Sequence, residues 1–321
     1  MTDVLVLIDP QTATVETADL AAAQLPVTDL SAHRGDGIFE TVLVRIETDP
    51  IGTSRSNESA QSTEPSQPDT TSTSGDVTVV SRDRHFARFC ASASALDLPE
   101  PDPELWDRAL DTVIAETRAA DPSLAEFGVR YACSRGGQSH DGAQSPRGWA
   151  FTVPVDDKIL QARDNGISAV SLDRGYDAYL GSKAPWLLIG AKTLSYAVNQ
   201  AAGRYARERG ADEALFVSHD GIVLEGPTSN IVIRRGDRLL TPEPAAGLLS
   251  GTTQRLIFDH AARLGLSAEY ADLHLSDIME SDGAWYVSSM RTAVSLNTLD
   301  GNPITRDEEL TTALQSLIRN G

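Results

Sequence analysis

The amino-acid sequence predicts an α+β (α/β) fold with two domains, and three observations support this. The chain has 321 residues, which exceeds the usual size of one domain. Strand-like and helix-like segments are mixed, and the turns at Asp220-Gly221 and Gly236-Asp237 are typical of antiparallel hairpins, which argues against a doubly wound parallel sheet. Strand character ends near residue 156, so we predict a smaller N-terminal α/β domain over 1–156 and a larger C-terminal domain over 157–321.

The N-terminal half contains an insertion of unusual composition. Residues 49–76 are nearly all Ser, Thr, Pro, Asp, Glu and Gln, with Ile51 as the only large apolar residue. Such a segment cannot bury enough surface to offset its ordering entropy, so we predict that it is disordered. Strand patterns precede it at 37–47 and follow it at 77–81. The insertion is therefore expected at the tip of a hairpin, where added length costs little.

The other elements are predicted from the spacing of apolar residues. A strand is expected at 4–10, and a helix is expected after Lys192, with Leu194, Val198, Ala201 and Tyr205 at helical spacing. Further helices are predicted at 82–98, at 103–120 with Asp102 as its cap, at 251–266 and at 306–320. Further strands are predicted at 127–137, 148–155, 166–172 and 283–289, and hairpins at 213–226 and 230–242.

The composition excludes several classes of function. A formal net charge of −19 argues against binding to nucleic acid or to an anionic membrane, because both need a basic surface. Cys90 and Cys133 are isolated and have no histidine nearby, so neither a disulfide framework nor a metal site is expected. The start lacks a basic segment followed by an apolar core, and no apolar run is long enough to span a bilayer. We therefore expect a cytoplasmic protein.

Four features could together hold a phosphorylated cofactor that withdraws electrons. The segment "SGTTQR", residues 250–255, offers free N–H groups at a helix start, and Arg88 could give a phosphate a bidentate partner. Lys192 could form a Schiff base with an aldehyde, and Glu225 could keep a pyridine nitrogen protonated. Each residue alone is also typical of an ordinary surface charge or helix cap. The argument for function depends on their order along the chain.

Five segments occur in the order found in a known enzyme family. They are "HRGDGIFET", "HFARFCASASAL", "GAKTLSYAVNQAA", "EALFVSHDGIVLEGPTSNIVI" and "GLLSGTTQRLIF". In these the sequence resembles the class IV (fold type IV) pyridoxal-phosphate enzymes, which include branched-chain and D-amino-acid aminotransferases and 4-amino-4-deoxychorismate lyase. The resemblance covers nearly the whole chain apart from residues 49–76.

The resemblance implies two α/β domains with pyridoxal 5′-phosphate between them, normally in a homodimer. Lys192 matches the Schiff-base lysine, and Glu225 matches the carboxylate on the pyridine nitrogen. Arg88 matches the phosphate-binding arginine. Further cofactor-binding candidates are Thr252 and Thr253 in the phosphate cup, Ser289 near a second phosphate contact, and Tyr196 and Thr228.

The family includes two kinds of reaction on small-molecule amines. The segment "RGDGIFETVLV" is closer to the lyase and D-amino-acid enzymes than to branched-chain aminotransferases. This favours a 4-amino-4-deoxychorismate lyase, which releases pyruvate and forms 4-aminobenzoate for folate biosynthesis. The alternative is an aminotransferase that acts on branched-chain or D-amino acids with a 2-keto acid acceptor. A catalytically silent homologue is a third reading; it would lack a cofactor residue, and all of them are present.

A substrate carboxylate needs a positive partner in either enzyme. The arginines available near the expected pocket are Arg34, Arg135, Arg147 and Arg291. We predict that Arg135, in "CSRGG", binds substrate, because the resemblance places this strand end towards the substrate.

Overall fold

The computed structural model describes residues 4–47, 72–74, 77–137 and 145–320. The predicted insertion at 49–76 therefore falls outside the described residues, except for Ser72–Ser74, which form a short strand. Among the described residues, no helix combines the length and the apolar character needed to cross a membrane.

Residues 5–154 build one antiparallel sheet with two long helices packed against it. Its seven strands follow the order β2-β1-β7-β6-β3-β5-β4. The predicted strands on either side of the insertion pair as β3 and β5, so the expected hairpin is confirmed. The elements are β1 (Leu5–Asp9), β2 (Thr14–Ala18), α1 (Leu30–Arg34), β3 (Gly37–Ile46), β4 (Ser72–Ser74), β5 (Val77–Val79), α2 (Arg82–Ala95), α3 (Pro103–Ala120), β6 (Glu126–Ser134) and β7 (Arg147–Pro154).

Residues 157–320 build a second, mixed sheet in the order β12-β11-β10-β13-β14-β8-β9, with β15 paired to β14. The turn at Gly236-Asp237 joins β10 to β11 as predicted. The elements are α4 (Asp157–Asn165), β8 (Ile167–Asp173), α5 (Ala197–Glu208), β9 (Glu213–Val217), β10 (Asn230–Arg235), β11 (Arg238–Thr241), α6 (Thr252–Asp259), β12 (Ser267–Tyr270), α7 (Leu275–Met279), β13 (Gly283–Ser288), β14 (Thr292–Leu299), β15 (Asn302–Pro303) and α8 (Glu308–Asn320).

The two sheets meet through a shared apolar cluster. Leu43 on β3 and Val80 after β5 pack in the same cluster as Trp285 on β13 and Leu314 on α8. Burial of such large side chains removes apolar surface from water and stabilises the junction. The chain passes from one sheet to the other between β7 and β8, and the domain boundary at residue 156 remains a prediction.

The helix predicted directly after Lys192 differs from the observed one. Helix α5 begins only at Ala197, and its buried residues are small: Ala202, Gly203 and Ala206. The predicted apolar side is wrong, because Val198 and Tyr205 are 59% and 41% exposed. Small residues let α5 approach β9 closely, which turns its large apolar side chains outwards. Lys192 therefore lies in a loop rather than at a helix entrance.

Candidate active site

A cavity of about 780 Å³ lies where the two sheets face each other. Its walls come from β3, α2 and β6 of the first sheet and from the loops that flank α5, β10, α6 and β13 in the second half. Eight predicted residues line it together: Arg88, Lys192, Tyr196, Glu225, Thr228, Thr252, Thr253 and Ser289. Arg135 is not among the lining residues.

The loop that carries Lys192 is held by the N-terminal sheet. The Phe39 N–H donates to the Lys192 carbonyl at 3.0 Å, and the Leu194 N–H donates to the Gly37 carbonyl at 2.8 Å. The Lys192 N–H donates to Ser92 Oγ at 3.1 Å. These bonds fix the backbone on both sides of the lysine side chain, whose Nζ lies 4.6 Å from the centre of the Phe39 ring. The amine is thus positioned from the first sheet, although it belongs to the second half of the sequence.

Burial and the nearby positive charge of Arg88 together lower the pKa of Lys192 to about 8, although the carboxylates of Glu40 and Glu225 oppose this shift. Burial and the Arg88 charge both disfavour the ammonium form. At pH 7 about a tenth of these side chains are therefore neutral amines, and the fraction rises to about half at pH 8. A neutral amine can attack a carbonyl or accept a proton, and an ordinary lysine does neither efficiently at that pH.

Glu225 lies on the cavity wall that the second half of the chain builds, in the loop that precedes β10. Its carboxylate accepts hydrogen bonds from Asn230 Nδ2 and from the Leu249 N–H, both at 3.2 Å. Burial raises the pKa of Glu225 to about 7, although the Leu249 N–H opposes this. A carboxyl group of this kind becomes ionised readily when a protonated ring nitrogen is brought against it.

The start of α6 has the features of a cup that could bind an anion. Gly251 has no side chain that could cap the helix, so the first N–H groups of α6 are left for a ligand. Only glycine fits at position 251, because a Cβ there would lie 2.0 Å from Asn230 Oδ1. The hydroxyl groups of Thr252, Thr253 and Ser289 and the guanidinium of Arg88 complete the cup.

Two residues that the sequence did not single out hold Arg88 in place. Glu40 on β3 is fully buried and accepts from Arg88 Nε at 2.7 Å and Nη2 at 2.8 Å. His85, one helical turn before Arg88, places Nδ1 2.7 Å from Glu40 Oε2. Burial would raise the pKa of Glu40, but the charges of and hydrogen bonds from Arg88 and His85 hold it well below its usual value. The sequence did contain a sign of both roles: Glu40 stands within a largely apolar strand, and His85 lies on the buried side of α2 with Phe89 and Ala93.

The prediction that Arg135 binds the substrate is not supported by the structure. Arg135 Nε donates to Asp36 Oδ2 at 2.8 Å, and its terminal nitrogens donate to the carbonyls of Leu96 and Asp97. Each of the three guanidinium nitrogens thus donates to a partner outside the cavity, and these bonds hold the side chain there. Arg135 follows the last residue of β6, and the sequence pattern does not show which of Arg130 and Arg135 points into the cavity.

Arg130, earlier on β6, is the arginine of that strand that reaches the cavity. Its Nε donates to Thr41 Oγ1 at 2.9 Å, and its guanidinium lies 5.1 Å from the centre of the Phe39 ring. Among the described residues, no carboxylate forms an ion pair with it. Burial lowers the pKa of Arg130. This side chain presents a positive charge to the cavity that a carboxylate ligand could neutralise.

The remaining predicted residues shape the cavity wall. The Tyr196 hydroxyl donates to the Pro227 carbonyl at 3.0 Å, and its ring meets Phe39 edge-on at 5.4 Å. Thr228 Oγ1 accepts from Arg291 at 3.1 Å. Ser229 is buried in the same turn, and within the described part of the chain its Oγ has no hydrogen-bond partner. A buried hydroxyl without a partner is costly unless a ligand satisfies it.

Two antiparallel-rich sheets with a lysine, a carboxylate and an anion cup between them define an enzyme of the fold type IV class. The model of the family "Amino-transferase class IV" matches residues 69–298. A bifunctional aminodeoxychorismate lyase / D-amino acid transaminase from Mycobacterium tuberculosis is 39% identical over 285 residues, which are 87% of this chain and 86% of that protein. The chain belongs to the class IV aminotransferase family.

Solved structures agree with this assignment. A fold IV transaminase from Curtobacterium pusillum superposes with a TM-score of 0.83 at 34% identity, covering 98% of this chain and 99% of that one. A hypothetical aminotransferase from Mycobacterium tuberculosis in its PLP-bound form superposes with a TM-score of 0.81 at 35% identity, covering 98% and 97%. The protein is therefore a fold type IV enzyme of two sheets with helices, and it acts on small-molecule substrates.

Pyridoxal phosphate is the cofactor of this enzyme, as the family and the PLP-bound neighbour show. The residues present fit the group: the uncapped α6 start suits its phosphate, and the Ser229 hydroxyl lacks a partner. Lys192 would present an amine to its aldehyde, and Glu225 would present a carboxylate to its ring nitrogen. The described residues contain no cluster of three or more His, Cys, Asp or Glu side chains that could hold a metal ion.

Proposed function

We propose that the protein is a 4-amino-4-deoxychorismate lyase, which converts its substrate into 4-aminobenzoate and pyruvate. The observation that carries the proposal is the 39% identity, over most of both chains, to the Mycobacterium tuberculosis protein whose name includes this activity. The cavity is compatible with it, because Arg130 and Lys192 both line it and Arg130 offers a carboxylate-bearing ring a positive partner.

We assign the chemistry to Lys192. When bound, pyridoxal phosphate supplies an aldehyde that captures the substrate amine and a ring that accepts electron density. Lys192, released from the aldehyde, then removes the proton from the carbon that bears the substrate nitrogen. With its pKa near 8, the side chain is a base of suitable strength close to neutral pH. The same amine can return a proton to the departing enolpyruvate, which leaves as pyruvate.

We assign the other cavity residues to binding. Glu225 holds the ring nitrogen, supported by Asn230 and Leu249. Arg88, Thr252, Thr253 and Ser289 hold the phosphate, and Tyr196, Thr228 and Ser229 close the wall beside the ring. Because Glu225 is buried, its charge acts on the ring nitrogen without much screening by water.

A second candidate function is transamination of D-amino acids. The same relative is named for this activity too, and D-alanine aminotransferase from Bacillus licheniformis is 26% identical over 246 residues. Both reactions begin with the same proton removal by Lys192. They differ in where the proton is returned: to the leaving group in the lyase, and to the cofactor carbon in the transaminase.

One experiment separates the two activities. The purified enzyme is given aminodeoxychorismate alone, and pyruvate and 4-aminobenzoate are quantified. It is then given D-alanine with 2-oxoglutarate, and pyruvate and glutamate are quantified. Multiple turnovers of the first reaction without any keto acid support the lyase, whereas turnover of the second alone would overturn the proposal.

The role of Arg130 is tested with a matched pair of variants. Arg130→Met keeps an unbranched apolar side chain and removes the charge, and Arg130→Lys keeps the charge. We expect Arg130→Met to raise the KM for the carboxylate substrate at least ~10-fold, which is the loss of one charge-assisted hydrogen bond. Arg130→Lys is expected to recover part of that loss. An unchanged KM in Arg130→Met would remove this residue from the substrate site.

We also propose that the enzyme is a homodimer. Trp186, Leu187, Val198 and Tyr205 are large apolar residues that are 41–75% exposed, and Leu187 also lines the cavity. Exposed apolar groups of this kind commonly mark a subunit interface. Light scattering coupled to size exclusion should give twice the chain mass of 34.4 kDa. A monomer at assay concentration would contradict this. The cytoplasmic location remains a prediction from the sequence.

A further inference from the structure

His85 stands behind the phosphate cup and touches its hydroxyl groups. Its Nε2 lies 3.0 Å from Ser289 Oγ and 3.1 Å from Thr252 Oγ1. Its other nitrogen, Nδ1, lies 2.7 Å from the carboxylate of Glu40. The imidazole therefore joins a buried negative charge to two hydroxyl groups that we have assigned to the phosphate.

The number of hydrogens around this ring limits how many of the two hydroxyl groups can donate to a phosphate. Glu40 is ionised and only accepts, so Nδ1 carries a hydrogen. A neutral His85 then has one lone pair at Nε2, and at least one of the two hydroxyl groups turns its only hydrogen towards that lone pair. A hydroxyl used in this way cannot also donate to a phosphate dianion, which offers acceptors alone. Both Thr252 and Ser289 can donate to the phosphate only if Nε2 carries a hydrogen as well.

We propose that His85 takes up one proton from solvent when the phosphate group binds, and that the resulting imidazolium turns both hydroxyl groups towards the phosphate. His85 is a positioning residue, since it acts through Thr252 and Ser289. The inference rests on the proposed location of the phosphate, and it holds for either reaction of the enzyme.

The charges that face His85 disfavour a charged imidazole before the phosphate binds. Before binding, Glu40 on β3 and Arg88 on α2 compensate each other, and Lys192 adds positive charge from its loop. Helix α6 contributes the Thr252 hydroxyl group and the partial positive charge of its first N–H groups, and the loop after β13 contributes the Ser289 hydroxyl group. Burial lowers the pKa of His85 below its usual value, Glu40 raises it, and Arg88 and Lys192 lower it. A dianion beside the ring reverses the balance, because an opposite charge in a poorly solvated site favours the charged imidazole.

Sulfate is the appropriate probe, because it remains a dianion over the whole pH range of interest while phosphate itself titrates. Sulfate binding to the cofactor-free full-length enzyme is measured by calorimetry between about pH 5.5 and 8.5, the range in which histidine titrates. In the wild type, uptake of one proton weakens binding up to tenfold for each pH unit above the pKa of free His85. His85→Gln places at this position an amide that donates a hydrogen bond and does not titrate. The affinity of this variant for sulfate should therefore lack this pH dependence. His219→Gln is the control, since His219 is exposed and pairs with Asp173 on the surface.

Lys192 and Glu225 also titrate in this range, but they are present in all three proteins, so the difference between wild type and His85→Gln isolates His85. Calorimetry in two buffers of different ionisation enthalpy counts the protons directly. We expect about one more proton per sulfate in the wild type and in His219→Gln than in His85→Gln. Equal proton uptake in all three would overturn the role of His85.

A second measurement does not depend on a variant folding. In the wild type with ¹⁵N-labelled histidine, the nitrogen shifts of His85 should change from one protonated ring nitrogen to two when sulfate is added. A ring that stays neutral in the complex would refute the proposal. Competition with pyridoxal phosphate tests the location separately: failure to compete would refute the location and with it the inference, whereas competition without proton uptake would refute only the role of His85.

Discussion

Glu40 should contribute more to stability than any other carboxylate described above, although it touches neither substrate nor cofactor. It is fully buried and accepts two hydrogen bonds from Arg88 and one from His85, all between 2.7 and 2.8 Å. Glu40→Gln keeps the shape but turns an amide N–H₂ towards a donor and leaves the charge of Arg88 uncompensated. Breaking a buried pair from one side costs about 3–5 kcal/mol. We expect a loss of that size in the free energy of unfolding.

Urea-induced unfolding of the wild type and Glu40→Gln measures this loss, with Glu104→Gln on the exposed side of α3 as the matched control. The pH dependence has a definite sign. The pKa of Glu40 is lowered in the folded state, so its contribution is present above the unfolded value of about 4.3 and is lost as pH falls towards the folded value. The difference between the two proteins should be constant from about pH 5 to 8 and should shrink in stronger acid. A loss below about 1 kcal/mol would refute the reasoning, since that is the value of an exposed pair.

Three further predictions follow from the cavity and the surface. The rate at which pyridoxal phosphate combines with the apoenzyme should rise with pH through about 8, where Lys192 becomes neutral. Lys192→Arg should give no visible absorbance. If the midpoint of the rate profile lay above about pH 10, Lys192 would be an ordinary lysine. Gly251→Ala should weaken cofactor binding at least ~10-fold by displacing Asn230 from Glu225, while Gly181→Ala, whose Cβ has room, should leave binding unchanged. Because the net charge is −19, added NaCl up to about 0.5 M should raise the melting temperature by screening repulsion, and a decrease would contradict this.

The sequence predicted those parts of the molecule that depend on local pattern. Strands β3, β10 and β13 carry branched and aromatic residues in short runs, and the start of α6 is marked by glycine followed by two threonines. Lys192, Glu225 and Arg88 were identified by their order along the chain, and all three line one cavity. The order along the chain identifies these residues because members of the family carry the same segments in the same succession.

The sequence did not predict what depends on contacts between distant segments. Nothing near Arg130 or Arg135 shows which one faces the cavity, because that depends on the pairing of β6 with β3. The buried side of α5 was misassigned, because its small residues pack against β9 and its large ones remain exposed. The roles of Glu40 and His85 depend on contacts that exist only because β3 and α2 bring them beside Arg88.

The bonds that hold the Lys192 loop on β3 have a consequence for how such enzymes diversify. Two of the three bonds join backbone groups of Gly37 and Phe39 to the loop, and only the bond to Ser92 uses a side chain. A backbone ladder does not depend on which side chains the strand carries. Substitutions along β3 can therefore change the chemical character of the wall that faces an incoming molecule without displacing the reactive amine. New specificities can thus arise in this half of the chain while the lysine keeps its position.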